Sequence, residues 1–282
     1  MDDVGPVDDD PVRGAFASEF LALEEERQDD KARIEAPEED VIPGSDAEQE
    51  GLTVRDALRI GGAFPFMLLA LLNAFDEFES AALSTLAPEI RDTIGVSDGT
   101  MVFIGSASSA FLILGSVPMG WLADNVKRSP VIAISSAIFS ACVFVTGLAV
   151  NAFMLVMTRL GVGIAKSNTL AVHGSYLADQ YPISTRGRLG ALNGMLGRTV
   201  GTVSPLIVGA IAAIAGGDEG WRWSFFILST PVAVLAFFAF FLREPPRGQF
   251  EQKGVIGHVN EDANPAPTSF EAAFRRIRQI KT

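Results

Sequence analysis

GWLADNVKRSPV, residues 120–131, is a short polar break between two long apolar runs, 101–122 before it and 131–150 after it. Each run has roughly the 20 residues that a helix needs to cross a hydrocarbon core of about 30 Å. Gly120 allows close backbone approach at the membrane surface, and Asp124 is placed to cap the N-terminus of a neighbouring helix. Lys127 and Arg128 hold the loop on the side where basic residues collect. The stretch therefore predicts a hinge between two membrane-crossing helices.

Working outward, the apolar pattern recurs. Six runs are long enough to span: residues 61–86, 101–122, 131–150, 152–177, 190–214 and 223–242. Composition agrees once the chain is divided. Of the 282 residues 48% are hydrophobic, yet 34 are acidic. Residues 1–60 hold 19 Asp and Glu against 6 Lys and Arg, and the remaining 222 residues are close to neutral. Residues 1–60 read as an acidic, largely disordered cytoplasmic tail, since so little apolar surface cannot offset the entropy of ordering. They lack the basic start and apolar core of a secretory signal. Within them TVRDALRI, just ahead of the first run, suits a short interfacial helix. Residues 61–242 read as a six-helix transmembrane bundle. Residues 243–282 read as a cytoplasmic linker ending in SFEAAFRRIRQIKT, a basic amphipathic helix with the look of a segment preceding a further span.

Lys and Arg set the orientation. Arg55 and Arg59 precede the first run, Lys127 and Arg128 follow the second, Arg186 and Arg188 follow the fourth, and Arg243, Arg247 and Lys253 follow the sixth. The opposite side offers only Arg91 and Arg222. Both termini are expected in the cytoplasm of a multi-pass cell-membrane protein.

Residues 120–131 resemble the signature loop of the major facilitator superfamily, G-x-L-a-D-R-x-G-R-K, through Gly120, Leu122, Asp124 and Arg128. Asn125, Lys127 and Ser129 depart from it. RLGVGIA in the fourth run is similar to the family's R-x-x-x-G-x-G/A. DQYPISTRGR resembles D/E-x-x-P-x-x-x-R-G-R through Asp179, Pro182, Arg186, Gly187 and Arg188. GWRWSFFI and REPPRG resemble the segments that open and leave the sixth span. The resemblance covers residues 61–282. It implies an all-α membrane protein forming one six-helix bundle, half of a twelve-helix transporter, with Gly120, Asp124, Arg128, Asp179 and Arg186 at the conformational gate. The missing C-terminal six-helix half would be a partner, as would the lipid bilayer.

The acids of the first run call for explanation. Asp76, Glu77 and Glu79 lie inside a span, where a carboxylate costs about 2.5–3.5 kcal/mol on insertion scales. Asp76 and Glu79 share one helix face, while Asn73, Glu77, Ser80 and Ser84 form a polar stripe beside it. The segment from Asp76 to Pro88 resembles the D-G-F-D…P of proton-coupled organic acid and sugar-type family members. Arg159, Lys166 and His173 in the fourth run recur every seven residues on one face, and Arg198 adds a cation in the fifth. Asp76, Glu77, Glu79, Arg159, Lys166 and Arg198 are the expected proton-coupling or substrate residues, whereas His173 reads as a structural, hydrogen-bonded histidine. GRTVGTVSPLIVGA, in the fifth run, reads as a close-packing and kink segment.

The lone Cys142 excludes an internal disulfide, a CxxC redox pair and a cysteine-rich zinc site within this chain. No sequence feature points to a metal, a cofactor, a nucleic-acid partner or an enzyme. The expected activity is transport of a small solute by alternating access, with proton-coupled uptake of an organic acid or similar polar metabolite foremost. Proton-driven efflux of drugs and a non-transporting sensor or assembly partner are the other readings. The orientation is open to direct test. Cysteines introduced at Ser97 and Asp218 should react from outside intact cells with an impermeant thiol reagent, and those at Val126 and Thr185 should not; outside labelling at 126 would reverse the topology.

Overall fold

The computed structural model describes residues 52–256. Most of the expected acidic tail and the basic helix expected at 269–282 lie outside the described residues. The chain begins with α1, Val54–Gly61, whose start is a capping box: Asp56 N–H donates to Thr53 Oγ1 and Thr53 N–H donates to Asp56 Oδ2 at 3.0 Å. Gly62, with φ of +82°, then turns the chain through 107° into α2, Ala63–Thr85. Only a residue without Cβ adopts that φ freely, so the bend sits where the sequence has glycine. The short α3, Ala87–Ile94, follows, with Pro88 in its first turn.

The remaining rods are α4 (Asp98–Asn125), α5 (Arg128–Gly147), α6 (Ala152–Asn168) and α7 (Gly174–Gln180), then α8 (Ile183–Ala215) and α9 (Trp221–Ala239). A last short helix, α10, spans Gln249–Ile256. Between α6 and α7 the backbone stays helical but widens into a π-turn over Thr169–His173. The expected fourth span is therefore one rod with an interruption. The second and fifth rods are longer than the apolar runs that predict them, because their polar end turns remain helical beyond the hydrocarbon. Of the six rods, α4, α5, α8 and α9 are each long and apolar enough to cross a membrane, and α2 reaches that standard only together with α1 across the bend. The two rods that fall short by themselves, α2 and α6, carry the charges.

Packing is pairwise: α2 lies against α8, α4 against α6, and α5 against α9, with α5 and α6 joining the pairs. Leu69, Ile104, Val143, Val162, Phe225 and Val232 belong to the continuous buried core. Lipid tails are as apolar as these side chains, so the pairs are held by close fit and interhelical hydrogen bonds more than by water exclusion. Ser204 Oγ donates to Phe78 O at 3.0 Å, tying α8 to α2, and Ser140 Oγ donates to Ser229 O at 2.9 Å, tying α5 to α9. In the expected close-packing segment it is thus Ser204 that makes the contact, with Pro205 inside an unbroken helix.

The tightest approach is between α4 and α6. A Cβ on Gly163 would collide with the carbonyl oxygen of Ser108 and lie 3.2 Å from Phe111 Cβ. Backbone cannot step aside as a flexible side chain can. Gly163→Val should lower stability by about 1–3 kcal/mol or more, measured by thermal unfolding in detergent. Gly105→Ala, where nothing lies within 4 Å, should leave it essentially unchanged.

Candidate functional site

Two buried rods bring opposite charges together. Glu79 on α2 is 2% exposed, and its carboxylate is shared by two cations of α6: it pairs with Arg159 Nη1 through Oε1 and with Lys166 Nζ at 2.8 Å through Oε2. Arg159 also donates from Nη2 to Thr146 Oγ1 on α5, and its guanidinium stands 5.8 Å from the Phe225 ring. Lys166 donates to Asp76 O at 2.6 Å and to Ser80 Oγ at 2.7 Å besides its bond to Glu79, so all three ammonium protons are engaged by α2. Asp76 accepts from Thr169 Oγ1 at 2.6 Å and forms no ion pair among the described residues.

Asp76, Ser80, Lys166 and Thr169 of this network line a cavity of about 480 Å³, with Glu79 and Arg159 outside its lining. Asn73, Asp76, Glu77 and Ser80 reach it from α2, Lys166, Thr169 and His173 from the α6 rod, and Arg186 and Asn193 from α8. Of the polar stripe read on the first run, Asn73, Glu77 and Ser80 thus line the cavity, and Ser84 does not. Glu77 faces this space and passes close over Gly197, where a Cβ would lie 3.2 Å from Glu77 Cγ. Asn73 Nδ2 donates to both the carbonyl and the side-chain oxygen of Asn193 at 3.3 Å.

One residue stands apart from its expected place. Arg198 does not join the acids: it is exposed on α8 and is not part of the cavity lining. Depth along a rod predicts nothing about which face a residue takes, and here the face turned to α2 is taken by Gly197 and Gly201. His173 is buried, as a structural histidine should be, with Nε2 3.1 Å from Asn168 Nδ2. The two are five apart, a spacing that meets because the backbone between them is a π-turn.

A second constellation closes one end of the bundle. Arg128, almost fully buried, donates to Asp179 Oδ2 at 2.6 Å, to Glu244 Oε1 at 2.9 Å and to Ser175 O at 3.1 Å. The other oxygen of Glu244 accepts from Ser129 N and Oγ, both at 3.0 Å. Arg247 donates to Ala123 O at 2.6 Å, where α4 ends. Of the expected gate residues the structure therefore unites Arg128 and Asp179. Arg186 is pointed elsewhere, to Glu251 at 2.5 Å and to Tyr181 O at 3.2 Å. Asp124 is exposed and takes no part in the ion pairs of the described residues, and nothing lies within 4 Å of a Cβ on Gly120. Neither contributes to this cluster.

Sequence reading overlooked Glu244, Glu251, Thr146 and Thr169 as partners. Glu244 lies within REPPRG, where a carboxylate beside two prolines was a visible sign, while the threonines gave no signal in a run of small polar residues.

Rods packed in pairs, a charged network between α2 and α6 and an ionic belt at one end describe a polytopic helical bundle of the secondary-transporter type. The match of residues 67–281 to the model of the Major Facilitator Superfamily shows that the chain belongs to that family, among transporters rather than enzymes. It is similar to the glucose transporter GlcP of Staphylococcus epidermidis, 26% identical over 189 residues, covering 67% of this chain and 41% of the relative. It is also similar to the probable sulfoacetate transporter SauU of Cupriavidus necator, 27% identical over 222 residues, covering 74% and 50%. The crystal structure of a bacterial homologue of the human lysosomal transporter Spinster, inward-facing and unoccupied, superposes with a TM-score of 0.60 at 24% identity, over 66% of this chain and 44% of that one. The chain thus spans about half the length of these curated relatives.

The belt carries a pH dependence. Burial alone would raise Glu244, but the bonds from Arg128 and from the Ser129 backbone outweigh it and hold the carboxyl below its ordinary value of 4.5. A depressed folded value means stability that is present above pH 4.5 and is lost as pH falls through that lower value. The melting temperature should drop on acidification below pH 4.5, and Glu244→Gln should start lower at neutral pH and lose less on acidification. Parallel curves for the two proteins would remove Glu244 from the account.

Proposed function

We propose that this chain is the N-terminal half of a secondary transporter that moves a small polar solute through the cavity between α2, α6 and α8 by alternating access. Proton-coupled uptake of an organic acid or similar polar metabolite is the reading the geometry supports best. The observation that carries it is Glu79 shared between Arg159 and Lys166, with Lys166 and Asp76 on the cavity wall.

A buried carboxylate flanked by two cations stays charged, and its protonation breaks the balance. Lys166 has no free donor while Glu79 is ionised. For Lys166 to bind an anion, it must therefore first be released from Glu79. A proton reaching Glu79 by way of the cavity-lining Asp76 releases Lys166, and the carboxylate of an incoming anion replaces the one that was lost. Charge in the site is then the same with the carboxylate ionised as with proton and anion both bound, so neither is favoured alone. That mutual requirement is symport. The polar solutes named for GlcP and SauU, a sugar and a sulfonated acid, agree with a cavity of this polarity.

The other half is inferred from exposure. Only 11% of the spanning window of α4, and of α8, is buried in this bundle, and Arg198 stands on the exposed part of α8. A cation at that depth facing lipid is costly. A second bundle, or water held against it, covers that face.

In the protein expressed from its intact gene, Asp76→Asn and Glu79→Gln should abolish gradient-driven accumulation of labelled organic acids in inside-out-corrected vesicle assays. Asp76→Asn should retain exchange, because it leaves the ion pairs of Glu79 in place. Accumulation that still follows the pH gradient in both variants, at normal expression, makes these acids structural.

A further inference from the structure

The bend at Gly62 has a second consequence. If α2 crosses the bilayer, the 107° turn lays α1 near the plane of its surface. The first exposed apolar residues, Ile60, Phe64 and Met67, mark that surface. Ala57 and Gly61 face inward, with Val54 and Leu58 packed on a small cluster formed by Phe66, Ala70, Tyr181 and Leu189. The opposite flank is cationic. Arg55 and Arg59 are one turn apart on the same exposed face, neither in an ion pair among the described residues. Arg188, also exposed, donates to Leu52 O at 2.7 Å and so stands at the start of the same helix. Asp56, the acid of the same helix, is engaged by Thr53 in the capping box.

The seat of this helix is fixed. Tyr181 Oη donates to Gly62 O at 2.7 Å and accepts from Phe66 N–H at 3.1 Å, spanning the bend from the junction of α7 and α8. Gln180 Nε2 donates to Gly61 O, and a Cβ on Gly61 would collide with the Tyr181 ring. The backbone that carries Arg55 and Arg59 is thus fixed, and Arg188 is tied to its start, which lowers the entropic cost of gathering the three on one ligand.

We propose that Arg55, Arg59 and Arg188 form a binding site for the headgroup of an anionic phospholipid, with Ile60 and Phe64 against its acyl chains. Three cations around one capped acid complement a phosphodiester charge, guanidinium groups bind phosphate oxygens in pairs, and the neighbouring apolar residues suit a lipid better than free phosphate. Through Tyr181 the occupied site steadies the α7–α8 junction, which carries Asp179 on one side and Arg186 on the other. The site stands whether or not the proposed proton coupling does.

The experiment uses the protein from its intact gene with Cys142→Ala and a fluorophore on Ile60→Cys, reconstituted in phosphatidylcholine. Quenching is compared between spin-labelled phosphatidylglycerol and spin-labelled phosphatidylcholine, with inorganic phosphate as competitor. Preferential quenching by phosphatidylglycerol is expected, weakening about fivefold for each of Arg55→Gln and Arg59→Gln, retained by Arg59→Lys and unmoved by millimolar phosphate. Equal quenching by the two lipids overturns the proposal. So does a phosphatidylglycerol preference that survives both substitutions together, or one seen only after removal of residues 2–50, since the chain's own acidic stretch would then be the occupant. Circular dichroism of each variant separates loss of the site from loss of the fold.

Discussion

Glu79 holds two cations inside a membrane protein, and the arrangement of α2 against α6 follows from that. Arg159 and Lys166 are each almost fully buried, and each would be untenable there without a counter-charge. One carboxylate serves both, with Thr146 accepting from Arg159 and with Ser80 and the Asp76 carbonyl taking the other two donors of Lys166. The two rods least suited to lipid by composition are therefore fixed against each other by charge, while α5 and α9 behind them are fixed by apolar packing. Stability of this part of the bundle rests on Glu79 and the two cations it serves.

The α6 rod links that network to the ionic belt at the end of the bundle. Arg159 and Lys166 lie before the π-turn, and Ser175 and Asp179, which hold Arg128, lie after it. Within the turn Asn168 Oδ1 and His173 Nδ1 are buried with no partner among the described residues, an arrangement less settled than the α-helix on either side. The part of the rod that carries Arg159 and Lys166 and the part that holds Arg128 are joined at this point.

Much of this was legible in the sequence, and the failures share a cause. The polar loop at 120–131 identifies the fold because so few architectures place glycine, acid and basic residues between two apolar runs. Charges in the first and fourth runs announce each other for the same energetic reason that makes them rare. Periodicity, however, assumes an undisturbed α-helix, and the π-turn breaks that assumption between Lys166 and His173. Depth along a run does not disclose the face, so Arg198 read as a partner for the acids although it turns away from them. Glu244 meets Arg128 across 116 residues, a contact that no local pattern encodes. Chemistry was readable as a set of charges, but their pairing required the fold.

The length of α8 bears on how such a bundle moves. Its 33 residues make a rod about 50 Å long, against a hydrocarbon core of about 30 Å. The surplus lies toward its first turns, where Arg186 and Arg188 reach α10 and the start of α1. A stiff rod projecting beyond its bearing acts as a lever. A tilt of about 10° about one end displaces the other by roughly 9 Å over that length. A change of fit against Glu77 and Asn73 too small to disturb local packing is thereby enlarged at the end of the rod that carries Arg186 and Arg188.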